Sequence, residues 1–509
     1  MNAKIRRQLK ARKQRIARRL DKSKLGDCSQ PVMSAANIQF EIAERTRGMA
    51  YGGLGAMRLL VQKLGLAEAI DRRLHLLKIH LPYHESDHVL NLAFNTLCDG
   101  DCLEDLELRR NDEVYLDALG ARRIPDPTTA GDFCRRFQPH HVRELQEVYH
   151  EARLKAWARQ PAEFFEEARV DMDGVLVPTG GECKQGMDIA YNGVWGYHPL
   201  AVTLANTGET LSIVNRSGNR PSHEGAAAEV DRVLEVCFAG GFRKVLLRGD
   251  TDFTQTKHLD RWSDDPRVRF IFGIDAMANL EILADDLPDE AWQTLERPPR
   301  YVVKTKPRRR PNNVKQQIVR ERGFKNLQLV GEDVAEFDYS PTACGKTYRM
   351  VVVRKWIDES KGQSVLFRSY RCFFYLTNDR ELTPAEVVFE ANDRCDQENL
   401  NAQLKGAVRA LHAPVDNLVS NWAYMVMVSL AWNLKAWWAL FLPETRGKNT
   451  QALREEKQRV LKMEFKTFRN ALMRLPCQIV RSGRRLIYRL LSWNPWQRLL
   501  FGWLNGMRC

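Results

Sequence analysis

The spacing of apolar residues changes character along the chain. Between residues 25 and about 160 they recur every three or four positions, as in "GLGAMRLLVQKLGLAEAIDRRL" and "HHVRELQEVYHEARLKAWARQ", which predicts a mostly helical region. Between these two segments, "IPDPTTAGDFCRRF" carries proline punctuation and a Thr cap. It predicts a short helix bearing Arg135 and Arg136, either part of a helix-turn-helix reader or a plain linker helix. From residue 168 the period drops to two. "ARVDMDGVLVP", "GYHPLAVTLA" and, after the "NTGE" turn, "TLSIVN" predict three strands of an antiparallel meander. A helix at "EGAAAEVDRVLEVCFAGG", a buried strand "KVLLRGD", a helix around "TQTKHLDRW" and a strand "RVRFIFGID" follow. That order of elements predicts an α/β domain with a mixed sheet.

Residues 285 to 370 hold further strand-like pieces, "RYVVKT", "NLQLVG" and "YRMVVVRKW", around the basic loop "KTKPRRRP". "YRCFFYLTND" then leads into a predicted helix. Thr383, Pro384 and Glu386 supply an N-cap, a first-turn proline and a capping-box acid, and Gly406 supplies a stop. On one continuous helix, Arg394, Glu398 and Lys405 fall within about 40° of one another, with Phe389, Leu400 and Leu404 on the other side. Taken alone, this is a solvated face with an Arg–Glu pair one turn apart. The apolar stretch at 422–443 contains Asn433 and Lys435, which predicts a helix buried in protein rather than in lipid. From about 446 the chain reads as helical and strongly basic. These shifts divide the chain at 1–160, 161–284, 285–370, 371–445 and 446–509.

The 509 residues, 44% of them hydrophobic, suffice for two to four domains. A net charge of +14 with clustered cations favours a polyanionic partner, nucleic acid above all. The first 24 residues lack the apolar core of a secretory signal. They predict a basic arm that lays Arg6, Arg7, Lys10, Arg12, Lys13, Arg18 and Arg19 on DNA phosphates. Eleven scattered cysteines without zinc spacing read as reduced thiols of a cytoplasmic protein.

Candidate chemistry lies in the acids. Asp171 and Asp173 share one face of the first strand, and Asp250 ends the fourth, where a carboxylate emerges at the carboxyl edge of a sheet. Each alone is a turn or strand-end residue. If they converge with Glu398, the carboxylates repel one another unless a hard divalent cation joins them. A pair of such ions suits phosphodiester chemistry.

The blocks "DMDGVLVPTGGECKQG", "YNGVWGYHPLAVTLANTGE", "LLRGDTDF", "FIFGI" and "RCDQENLNAQLKG", in this order, resemble the DDE transposases of bacterial insertion sequences. Within them the resemblance is to the group with Tyr, Arg, Glu and Lys around the last acid and a strand-rich insertion before it. It covers roughly residues 165 to 440. It implies an RNase H-like catalytic domain in which Asp173, Asp250 and Glu398 hold Mg²⁺ or Mn²⁺, and Arg394 and Lys405 hold the DNA end. Ala391 stands where the group has Tyr, and Val175 where it has Thr. Asp171 is the alternative to Asp173, which is preferred because the following Gly174 matches the family's Asp-Gly. The expected activity is cutting of element ends and joining of the 3′-hydroxyl to target DNA. The expected partners are double-stranded terminal repeats and target, bound by a homodimer in a synaptic complex at the bacterial nucleoid. The competing readings are a catalytically inactive DNA-binding repressor or architectural protein, and a structure-selective nuclease.

Overall fold

The computed structural model describes residues 2–21, 33, 38–298, 312–361, 364–444 and 450–507. The strand expected at 300–305 and the basic loop at 304–311 therefore lie outside the described residues. The centre is a nine-stranded mixed sheet. Strand β1 (Glu167–Gly174) pairs antiparallel with β2 (Leu200–Leu204), which pairs antiparallel with the edge strand β3 (Glu209–Val214). On its other side β1 runs parallel to β4 (Lys244–Gly249), and β4 parallel to β5 (Val268–Ile274). The order β3-β2-β1-β4-β5 is the RNase H-like arrangement expected from the sequence. Pro199, which lacks an N–H for the ladder, separates β2 from a short strand at Trp195–Tyr197, so "GYHPLAVTLA" is not one strand.

The insertion continues this sheet. Strands β6 (Lys325–Tyr339), β7 (Tyr348–Lys361) and β8 (Ser364–Thr377) are antiparallel, and β8 pairs with β5 from Phe374 opposite Ile274 to Thr377 opposite Ile271. Apolar residues on the two sheet faces seed two cores. Helix α5 (Ala226–Ala239) contributes Val230 and Val233 to the larger one. On the opposite face α7 (Pro384–Asp393) buries Val387 and Val388 against Leu246, Ile271, Val351 and Val353.

The continuous helix expected over 383–406 is two helices. The Thr383–Glu386 capping box and Pro384 open α7 as predicted, but the helix breaks at Arg394 and α8 (Cys395–Lys405) starts anew. Each half has its own surface to cover, since Leu400 and Leu404 of α8 join the larger core while α7 packs on the smaller. At the break Asn392 Nδ2 donates to the Val388 carbonyl at 2.6 Å, a back-bond that weakens a helix locally.

The apolar stretch forms α9 (Leu418–Leu440), buried at every position from Ser420 onward and packed against α2 (Glu85–Leu97) and α4 (Pro139–Trp157). Asn433 and Lys435, the two polar residues singled out in the sequence, both have partners. The Asn433 amide accepts from Thr210 N at 2.9 Å and donates to Thr210 O at 3.2 Å, so it replaces ladder bonds on edge strand β3. Lys435 Nζ donates to the Leu461 carbonyl at 2.8 Å and lies 4.0 Å from the Trp432 ring centre; burial pushes its pKa down to about 7. Among the described residues no helix is long and apolar enough to cross a membrane.

The C-terminal region is only partly helical. After α10 (Thr450–Leu461), strands β9 (Cys477–Ser482) and β10 (Arg485–Leu490) form a hairpin, and β9 also pairs with Gly48–Met49. The reason is local: "QIVRS" and "RLIYRL" carry the β-branched and aromatic residues Ile479, Val480, Ile487 and Tyr488 on either side of Gly483, whose φ of 58° suits the turn.

Candidate active site

The parallel strands β1 and β4 end at the same edge of the sheet, and this places the acids. Along β1, Ala168, Val170 and Met172 turn into the larger core, so Arg169, Asp171 and Asp173 face the other way. Asp171 is consumed by the fold. It is 1% exposed, and Arg248 of β4 donates to it twice, at 2.6 and 2.9 Å. Asp173 lies two residues nearer the edge, at the end of the strand beside which Asp250 leaves β4.

Asp173 Oδ2 accepts from Asn401 Nδ2 of α8 at 2.7 Å. Burial pushes its carboxyl up to about 6; the positive Arg394 opposes this, and the negative Asp250 and Glu398 add to it. Gly174 follows because there is no room for a side chain: a Cβ would stand 2.7 Å from His198 Nε2. Asp250 leaves the end of β4 and accepts from Asp252 N at 3.1 Å, capping a short turn. Burial raises its pKa too, against the pull of Arg394 and with Asp252 adding to the rise.

Glu398 lies exposed in the first turn of α8. Arg394, at the break between the helices, directs its guanidinium at these acids, with Nη2 3.6 Å from Asp250 Oδ2. Lys405 ends α8, half-buried. Desolvation lowers its pKa and the negative Asp173 opposes that shift. All five residues expected from the resemblance thus come to one edge, although the helix break means that Arg394 arrives from the junction rather than along a shared helix face. Ala391 is partly buried against the smaller core, so its side chain offers no hydroxyl to a DNA end.

The donor set fits a hard divalent cation in its chemistry: three carboxylates, one of them desolvated and raised by the other two. Among the described residues, however, no three His, Cys, Asp or Glu side chains are gathered closely enough to hold an ion. Arg394 supplies the positive charge between Asp173 and Asp250 in this conformation.

Several sequence candidates take other roles. Arg12, on the basic helix α1 (Ala3–Arg19), donates to the carbonyls of Leu490 and Ser492 at 3.0 and 3.2 Å, which ties the arm to the C-terminal hairpin. Arg6, Arg7, Lys10, Lys13, Arg18 and Arg19 are exposed. Helix α3 (Pro127–Arg135) buries Ala130, Gly131, Phe133 and Cys134, and Arg135 pairs with Asp132 and Asp416 at 2.8 and 3.1 Å. Three site residues were missed by sequence reasoning. Arg248 is a lone cation in the apolar strand "KVLLRG", and Gln397 and Asn401 are polar residues one turn apart beside the Leu400–Leu404 stripe. Polar residues at packing positions were the available signal.

The sequence matches the family described as transposase DDE domain, group 1, over residues 49–508. No curated protein matches it. Among solved structures, a piggyBac transposase in a synaptic complex with hairpin DNA is similar at 10% identity and a TM-score of 0.36, over 83% of this chain and 82% of that one. At that score the likeness carries no weight. With its family match spanning nearly the whole chain, the protein belongs to the DDE transposases.

Proposed function

We propose that this chain is the transposase of an insertion sequence, cutting the element's ends and joining the freed 3′-hydroxyl to target DNA. The observation that carries this reading is that Asp173 and Asp250 leave the parallel strands β1 and β4 at one edge, with Arg394 3.6 Å from Asp250 and the helix of Glu398 bonded to Asp173 through Asn401, in a member of this family. Asp173, Asp250 and Glu398 are the residues that would hold Mg²⁺ or Mn²⁺. When bound, such ions supply activation of the attacking oxygen and stabilisation of the leaving one.

The chain's own residues do the rest. Arg394 and Lys405 grip phosphates beside the scissile bond, as their position at the acids' edge allows. For Arg394 this means exchanging its contact with Asp250 for one with DNA. The exposed cations of α1 add affinity for duplex DNA irrespective of sequence. Cutting and joining are both in-line attacks on a phosphodiester, so one site serves water and a DNA hydroxyl in turn. Two element ends held by a dimer complete the assembly.

Labelled element-end duplexes, a target plasmid and Mg²⁺ incubated with the purified chain test this reading. Nicked ends followed by plasmid-joined product are expected. Binding without cutting identifies an inactive DNA-binding derivative, and cutting without joining identifies a nuclease.

A further inference from the structure

We propose that Asn401 is a positioning residue that holds the carboxyl of Asp173 in register with Glu398, an inference that rests on the reading of these acids as cation ligands. Asn401 lies one turn beyond Glu398 on α8, and its Nδ2 donates to Asp173 Oδ2 at 2.7 Å. One turn back, Gln397 is 2% exposed. In the amide orientation that satisfies both of its polar atoms it donates to Met172 O and accepts from Asp173 N, each at 3.2 Å. The helix that carries Glu398 therefore grips Asp173 by both side chain and backbone, and the two acids meet a cation as one unit.

Packing alone does not account for Asn401. It is 6% exposed, and its Oδ1 is buried with no hydrogen-bond donor. A leucine of similar volume would fill the same space without that orphaned acceptor, so the amide costs stability where it stands. What the amide supplies is one fixed orientation of the Asp173 carboxyl, with Oδ2 engaged. Partners that orient metal-binding carboxylates in this way are worth about ten- to a hundredfold in metal affinity.

The test uses the full chain without DNA and Mn²⁺ as the probe, with binding followed by calorimetry alongside the melting temperature. Asn401→Leu removes the donor, Asn401→His keeps a ring nitrogen near the amide's place, and Asp173→Asn removes the ligand. Asn401→Leu is expected to weaken Mn²⁺ binding about tenfold at a melting temperature equal to or above that of wild type, with partial recovery of binding in Asn401→His. In a crystal structure of Asn401→Leu the Asp173 carboxyl is expected to have rotated. A Mn²⁺ isotherm equal to wild type, an unmoved Asp173, or a lower melting temperature with metal affinity intact each overturns the proposal. If Asp173→Asn removes no Mn²⁺ binding, the ligand reading itself fails, and that result is distinct from a failure of Asn401 alone.

Discussion

Two carboxylates of the core sheet, one on its edge strand and one on a central strand, differ in how fully donors surround them. Glu209, on edge strand β3, is fully buried and saturated. It accepts from Arg153 at 2.9 Å, Trp157 at 2.9 Å, Trp437 at 2.7 Å and Thr207 at 2.6 Å. Asp173, on β1, is also largely withdrawn from water and accepts from the Asn401 amide at 2.7 Å; burial, with Asp250 and Glu398 adding to it against Arg394, pushes its pKa up to about 6. Where the fold needs an acid to lock elements together, it surrounds it with donors. At the edge where β1 and β4 end it leaves acids with fewer donors, and on the proposed function this is where a cation would bind.

The largest effect separates the two regions by what is lost. Alanine at Asp173, Asp250 or Glu398 is expected to reduce end cleavage on the order of a thousandfold or more, with duplex binding kept. Gel-based cleavage beside mobility shifts reads both. Wild-type cutting by any one variant removes that residue from the site. Glu209→Ala is expected to act on stability, costing about 3–5 kcal/mol because it strands a buried Arg153. Urea unfolding midpoints measure this, and a small change would mean that the network is not what clamps β3 to α4 and α9.

The comparison sharpens with pH. Asp173 has a folded pKa of about 6 against an ordinary 3.8, so the folded chain binds the extra proton. Its contribution is fully present below the unfolded value and is lost as pH rises through about 6. Asp173→Asn should therefore stabilise the metal-free chain above that pH, by up to roughly 3 kcal/mol, with the gain fading toward pH 4. Denaturant melts at pH 4 and 8 decide this. No gain at pH 8 would mean that burial does not hold the Asp173 carboxyl above its ordinary range.

Smaller effects are expected at the flanking cations. Arg394→Ala and Lys405→Ala should each slow cleavage at saturating DNA by about ten- to a hundredfold, with little change in affinity. Unchanged rates would return Arg394 to the role of a counter-charge for Asp250. Deleting α1 should weaken binding to terminal-repeat and scrambled duplexes alike and flatten the dependence of affinity on salt. A loss confined to the repeat would assign base reading to the arm.

The sequence by itself determined the order of the core strands β1 to β5 with helix α5 and the buried character of α9, because each rests on local periodicity, and it named the candidate acids through a resemblance. The tertiary structure alone decided which of Asp171 and Asp173 is spent on an ion pair within the sheet. Their faces are identical in sequence, and the answer depends on Arg248 arriving from a strand 77 positions away to consume one of them. It also broke the helix at Arg394, since α7 and α8 answer to two different cores that no local pattern reveals. The roles of Gln397 and Asn401 were written in the helix as polar residues beside an apolar stripe. Their meaning came only when β1 was laid against them, because a hydrogen bond between distant segments is a property of packing and has no trace in spacing.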